Sequence, residues 1–264
     1  STQAKTLFPY TTLFRSGVED IRFSDFARQL DIYCQGGIYE EWFSGECEFS
    51  MEKDAMAVEF KGVENHPELR DPLVMLLLYH IGKVMYSTDT TKPKIQIIFD
   101  EAHRFLGKNP RMDDFIEQAY RRARKFDGSI ILATQGFSDI YDSEGGLSRA
   151  GKTIIDNSAW KFFMNQQETS TNLLLSSGIF SFDDIDKKII RKIRTQKREY
   201  SEIFCINSSN VKMSLRLLMP TFFYYLTTTD GTDKKLIAAV MNQHNCSKME
   251  AIKIIVKEKE KASA

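Results

Sequence analysis

Short apolar runs alternate along the chain with longer stretches whose apolar positions recur every three or four residues. That is the pattern of strands in a sheet with helices laid over them. Residues 55–60, 95–100, 129–134 and 160–164 read as strands, and 72–86 and 113–126 as helices. The run at 95–99, IQIIF, is almost continuously apolar, as a strand buried on both faces requires. In 113–126, Phe115, Ile116, Ala119 and Tyr120 share one helix face. Residues 72–86 form the most apolar helix, too short for a bilayer and carrying His80 and Lys83, so it is expected to pack against the sheet. Right-handed crossovers then give an α/β fold with a mostly parallel sheet flanked by helices. Further on, 173–193 reads as short helices with Ser181 as an N-cap, and 200–206 and 213–218 as antiparallel strands joined by the turn NSSN. The tail, 233–261, reads as two helices broken at 245–247. The second has an apolar face at Ala251, Ile252, Ile255 and Val256, fitting a solvated surface helix or a docking element for a partner.

Chemistry enters where the strands end. IQIIFDEAH at 95–103 closes on Asp100 and Glu101, at the sheet edge where open α/β folds bind ligands. In a nucleotide-hydrolysing site Asp100 would hold Mg2+, through its water, and Glu101 would orient and polarise the attacking water. His103 and Arg104 follow closely enough to feel the phosphates. The alternative is an acidic pair that caps the next helix. SIILATQ at 129–135 ends in Thr134 and Gln135, polar groups suited to sensing a γ-phosphate or placing water. Between the two strands, Arg121, Arg122, Arg124 and Lys125 cluster at a helix C-terminus, where cations contribute about 0.3–1 kcal/mol each. The sharper reading is an arginine offered to a neighbouring subunit's ATP, with Arg124 preferred and Arg149 a further candidate. The cofactors implied are ATP and Mg2+.

GLSRAGKT at 146–153 satisfies the formal phosphate-loop pattern. A working loop follows a buried strand directly and opens a helix. This one follows a polar, turn-rich stretch and comes after the acidic strand, so it reads as a chance match unless the fold is circularly permuted. Residues 7–16, LFPYTTLFRS, look like the translation of a sequencing-library adapter; a genuine N-terminal arm is the alternative. Residues 1–16 are therefore expected to be an artefact and the natural sequence to start near Gly17, with the phosphate loop upstream of it.

Taken in order, GGIYEEWFSG, MAVEFKGVENHPELR, IIFDEAHRFL, RRARKFDGSIILATQGFSD, IIDNSAWKFFMNQ, REYSEIFCI and LTTTDGTD resemble the TraC-like ATPases of conjugative type IV secretion systems, relatives of the HerA and FtsK motors. The resemblance runs from near Ile21 to the C-terminus. It implies a RecA-like P-loop NTPase domain, N-terminally truncated and lacking the phosphate-loop strand, at 17–232, with a helical tail at 233–264. It places Asp100 and Glu101 on the magnesium and catalytic acids, Gln135 on the sensor, and Arg124 with Lys125 on the basic pair before the sensor strand. Asn157 falls on a motif polar position, where a helix cap is the simpler account. The activity implied is ATP hydrolysis powering pilus assembly or substrate transfer, by a homo-oligomer, a hexamer with ATP between subunits. Inner-membrane components of the secretion system would be its partners, keeping it cytoplasmic and peripheral to the bacterial inner membrane. This fragment, without its phosphate loop, is expected to be inactive. The alternatives are a non-catalytic scaffold subunit and a DNA-pumping motor.

Composition adjusts this picture slightly. The 264 residues, 42% hydrophobic, suffice for one sizeable core, alone or with a small satellite. Lys plus Arg equals Asp plus Glu at 36 each, so no global field favours nucleic acid, although basic patches at 121–125 and 187–198 remain. Cys34, Cys47, Cys205 and Cys246 are scattered, and with His66, His80, His103 and His244 they make no zinc pattern, which fits reduced thiols. The N-terminal segment also lacks the apolar core and cleavage site of a secretory signal.

Overall fold

The structure, a computed structural model, describes residues 21–44, 54–87, 94–104, 106–107, 110–142 and 145–263. Residues 1–16, expected to be adapter-derived, lie outside these, as does Cys47. The chain divides into two compact units at residues 94 and 95.

In the first unit, α1 (Ile21–Leu30), α2 (Glu40–Phe43) and α3 (Pro67–Met85) are the α-helices among the described residues. Tyr39, Phe43, Val63 and Leu69 form its core, with Ile32, Tyr33, Phe60, Leu73 and Leu76 packed around them. Pro67 opens α3 at a position where a missing N–H costs nothing. Pro72 lies inside the helix and leaves the carbonyl of Glu68 without its helical donor. The hydroxyl of Tyr33 donates to that carbonyl instead. Tyr39 donates to the Glu68 carboxylate, which holds its phenol up at about 12 and Glu68 below the usual carboxylate range. Residues 55–60, expected as a strand, are mostly exposed and form none. A strand exists only through a partner's ladder, and no described segment supplies one.

In the second unit, β1 (Gln96–Phe99) and β2 (Ser129–Leu132) pair in parallel, Phe99 opposite Leu132. The crossover between them runs through α4 (Pro110–Arg122) and a 3-10 turn at Ala123–Phe126, closed by Asp127 at φ 53°. α5 (Arg149–Asn157) packs against α4. Contrary to expectation, this pair is covered on one face only: Ile97 is buried, whereas Ile98 and Ile131, opposite one another, are 61% and 47% exposed.

The expected strand at 160–164 is present as β3 (Trp160–Phe163), but it joins an antiparallel sheet and not the parallel pair. β5 (Tyr200–Asn207) is the central strand of that sheet. It pairs with β3, with the short β4 (Thr195–Gln196), and with β6 (Lys212–Leu217). The NSSN turn joins β5 to β6, with Asn207 Oδ1 accepting from the amides of Ser209 and Val211. One sheet face carries Phe163 and Phe204 inward onto Phe180 and Phe182, with ring centroids 5.5–6.5 Å apart, and Ile206 is buried on the same face. By alternation the other face presents Trp160 stacked on Phe162, both exposed, with Leu215 and Leu217. Between β3 and β4 lie α6 (Glu168–Ser176) and α7 (Asp184–Lys192). The N-cap of α7 is Asp183, not Ser181: its carboxylate accepts from Ile185 and Asp186, and Asp186 answers the amide of Asp183.

The chain ends in α8 (Thr221–Thr227), α9 (Gly231–His244) and α10 (Lys248–Ser263). Asn245, at φ 46°, ends α9, and Ser247 with Glu250 forms a capping box for α10. Tyr225, Ile237, Val240, Ala251, Ile252 and Ile255 make one apolar cluster, so α10 packs on α8 and α9 through the face its sequence marks out.

Candidate functional site

The parallel ladder continues beyond β1 and β2 into the loops that carry the candidate residues. The amide of Ala133 donates to the carbonyl of Phe99, and the amide of Ala102 donates to the carbonyl of Ala133, each at 2.9 Å. Asp100 and Glu101 are therefore tied beside Thr134 and Gln135 on one sheet edge. Asp100 is exposed, and one of its oxygens accepts the amide of Glu101 at 3.0 Å. Glu101 sits at φ 50°, a left-handed conformation that costs a non-glycine residue about 1–3 kcal/mol and is found at sites where geometry outranks stability. Its carboxylate accepts from Arg104 Nε at 2.6 Å. His103 has a buried Nδ1 with no hydrogen-bond partner among the described residues.

The loop after β2, the sensor loop of the sequence reading, is held from behind. Thr134 donates its hydroxyl to the carbonyl of Gly136, and Asp139 Oδ2 accepts the amides of Gln135 and Gly136, each at 3.0 Å. Gln166 and Ser170 accept the amide of Phe137 at 3.0 and 2.6 Å. A Cβ on Gly136 would come within 2.7 Å of Ser170 Oγ, so a side chain there would push the loop off its support. Phe137 also meets Phe180 at 6.1 Å, joining the loop to the aromatic core of the antiparallel sheet. Sequence reasoning missed Asp139, Gln166 and Ser170; the GFSD stretch, with an acid three residues after a turn glycine, was the visible signal.

The basic cluster divides by geometry. Arg121 pairs with the buried Glu117 at 2.8 Å, and Arg122 and Lys125 lie against the ring of Phe126. Arg124 is exposed and pairs with no acid among the described residues. It precedes β2, whereas Thr134 and Gln135 follow it, so a full strand length separates the cluster from the acidic edge. Arg149, the other arginine considered, is engaged within the chain by Glu117 at 2.6 Å and Asp114 at 3.3 Å.

GLSRAGKT is accounted for locally. Gly146 donates to Asp142, Leu147 bridges Tyr141, and Ser148 caps α5 by accepting the amide of Gly151. Gly151 is required because a Cβ there would fall 2.2 Å from the carbonyl oxygen of Ile140. Thr153 is buried and Lys152 exposed. The amides and hydroxyl that a phosphate would need are thus spent or enclosed, and this segment does not fit a phosphate. Asn157 donates its side-chain amide to the carbonyl of Thr153, a local helix-end role.

As a donor set, the exposed Asp100 fits a magnesium ion that takes one carboxylate and completes its shell with water and phosphate oxygens. No cluster of three or more metal-ligating side chains occurs among the described residues.

A strand–helix–strand crossover with paired acids after one strand and a polar sensor after the next is the arrangement of a RecA-like P-loop NTPase domain. The TraG P-loop domain family matches residues 10–259, and the chain belongs to that family. Protein TraC of Escherichia coli strain K12 is 28% identical over 211 residues, which cover 79% of this chain and 24% of TraC. VirB4 of Thermoanaerobacter pseudethanolicus shares the fold at a TM-score of 0.58 and 14% identity, over 81% of this chain and 54% of that one. The resemblance to TraC-like conjugative ATPases drawn from the motifs is borne out. This chain spans only a part of each relative.

Proposed function

We propose that this chain is part of an ATP-hydrolysing motor subunit of a conjugative type IV secretion system. The observation that carries the reading is the pair of backbone hydrogen bonds through Ala133, which bring the acids and the sensor to one edge. In the proposed reaction, Asp100 holds magnesium through a water, Glu101 accepts the proton of the attacking water, and Thr134 and Gln135 register the terminal phosphate. In this reading the phosphates would be cradled by residues outside those described.

The motor would work as a homo-oligomer, a hexamer, with Arg124 reaching a neighbouring subunit's ATP; its exposure and its lack of an acidic partner among the described residues favour it over Arg149. No helix among the described residues is long and apolar enough to cross a membrane. In this reading, contact with the bacterial inner membrane comes through other secretion components and the subunit is cytoplasmic. The balanced charge weighs against a DNA-pumping role.

The test is ATP turnover by the full-length natural protein and its Glu101→Gln variant. Turnover in the parent, abolished by Glu101→Gln with nucleotide binding kept, is expected. A parent that binds no ATP would favour a scaffold subunit. Undiminished turnover in the variant would remove Glu101 from the reaction.

A further inference from the structure

The turn after β1 holds an ion pair that opposes the role proposed for Glu101. Arg104 Nε lies 2.6 Å from Glu101 Oε2, and the side chains are 47% and 43% exposed. The backbone closes the same turn, the amide of Arg104 donating to the carbonyl of Glu101 at 2.9 Å. In a 3-10 turn, positions three apart eclipse, and the left-handed backbone of Glu101 starts that turn. The carboxylate is thereby folded onto its own turn, with Oε2 accepting from the guanidinium. A general base needs its carboxylate aimed at the attacking water, not drawn back onto the turn.

We propose that Arg104 is a latch on Glu101, holding the base idle until the terminal phosphate of a nucleotide draws the guanidinium away. The inference rests on the ATPase reading above. Two magnitudes decide the exchange. A solvent-exposed carboxylate–guanidinium pair is weak and readily opened. A phosphate offers more charge and more acceptor oxygens in a geometry that fits the guanidinium fork, and makes the stronger partner. Only a nucleotide that still carries its terminal phosphate would release the base. ADP would leave the latch closed, so the device would distinguish substrate from product at the residue that performs the chemistry. Arg104 is on this account a positioning residue, acting through Glu101.

The experiment compares Arg104→Ala, Arg104→Lys, Glu101→Gln and the parent, all as full-length natural protein, reading kcat and KM for ATP and the affinities for a non-hydrolysable ATP analogue and for ADP. The latch predicts that Arg104→Ala keeps or raises kcat and loses about tenfold of the preference for the analogue over ADP, with ADP affinity unchanged, because a charged hydrogen bond is worth that much. Arg104→Lys should retain part of the preference. A fall in kcat on Arg104→Ala to the level of Glu101→Gln would overturn the latch and put Arg104 in the chemistry itself. Unaltered kcat and preference would overturn it as an idle surface pair. Normal turnover by Glu101→Gln would instead sink the ATPase reading of this edge, and the latch with it.

Discussion

Replacing Asp233 with asparagine would test the polar knot that joins the β4–β5 turn to α9. Asp233 is 0% exposed. It accepts from Arg198 at 2.5 Å, from the Tyr224 hydroxyl at 2.8 Å and from the Thr228 hydroxyl at 3.3 Å. Next to it, Lys197 pairs with Asp230, the N-cap of α9. Hydrogen bonds to a charged group contribute about 1.5–3 kcal/mol each. Asparagine keeps one acceptor oxygen, and the half-exposed Arg198 recovers water, so solvent trims the loss and about 2 kcal/mol remains. For a unit of this size that lowers Tm by about 4–8 °C. The pH dependence is more diagnostic. Burial alone would raise the carboxyl of Asp233, but hydrogen bonds from Tyr224 and Arg198 outweigh it and hold the group below the usual carboxylate range. Its stabilisation is therefore complete above the unfolded-chain value and is lost as the pH falls through the lower folded value. Asp233→Asn should lack that part of the acid slope, while the part due to Asp230, held low by Lys197, stays. Urea melts across the acid range, with hydrogen exchange over α8, α9 and α10, read both effects. Equal stability at neutral pH, or identical acid slopes, would refute the reasoning.

Three further outcomes follow from the packing. Ser170→Ala leaves the amide of Phe137 with Gln166 alone, and should destabilise the sensor loop by about 1 kcal/mol while raising exchange at 135–141. Ile252→Ala empties a fully buried position among Tyr225, Ile237 and Val240 and should cost about 2–5 kcal/mol in chemical denaturation. Lys152→Ala should leave nucleotide affinity of the full-length protein unchanged, because the loop around it is committed to capping α5; a loss comparable to that of a phosphate-loop lysine would reinstate GLSRAGKT as functional.

Much of this was legible in the residues. The period of the apolar positions located β1, β2, α4, β5, β6 and the two C-terminal helices, and the polar ends of β1 and β2 marked the edge that Asp100 and Thr134 share. Pairing was less legible: β3 is apolar whether it enters a parallel pair or the antiparallel sheet it actually joins, because the run Trp160–Phe163 states a strand and not its partner. Residues 55–60 have the composition of a strand without a neighbour to make them one. Ser181 and Asp183 are both good caps, and only the chain path chose between them. The supports of the sensor loop, Gln166 and Ser170, lie about thirty residues from the amide they hold, a separation at which local pattern carries no information. The pair Glu101 and Arg104 was visible as a spacing of three, but its meaning needed the left-handed turn.

The two tryptophans of the chain fall one to each compact unit, Trp42 in α2 and Trp160 at the start of β3. Both rings are roughly half exposed, so each emission would shift when its own surroundings change. With Trp42→Phe, fluorescence would follow only the antiparallel sheet, whose aromatic core touches the sensor loop; with Trp160→Phe, only the helical unit that precedes β1. The molecule thus carries a separate optical label for each half, and whether the halves unfold together or in succession can be read without attaching a dye.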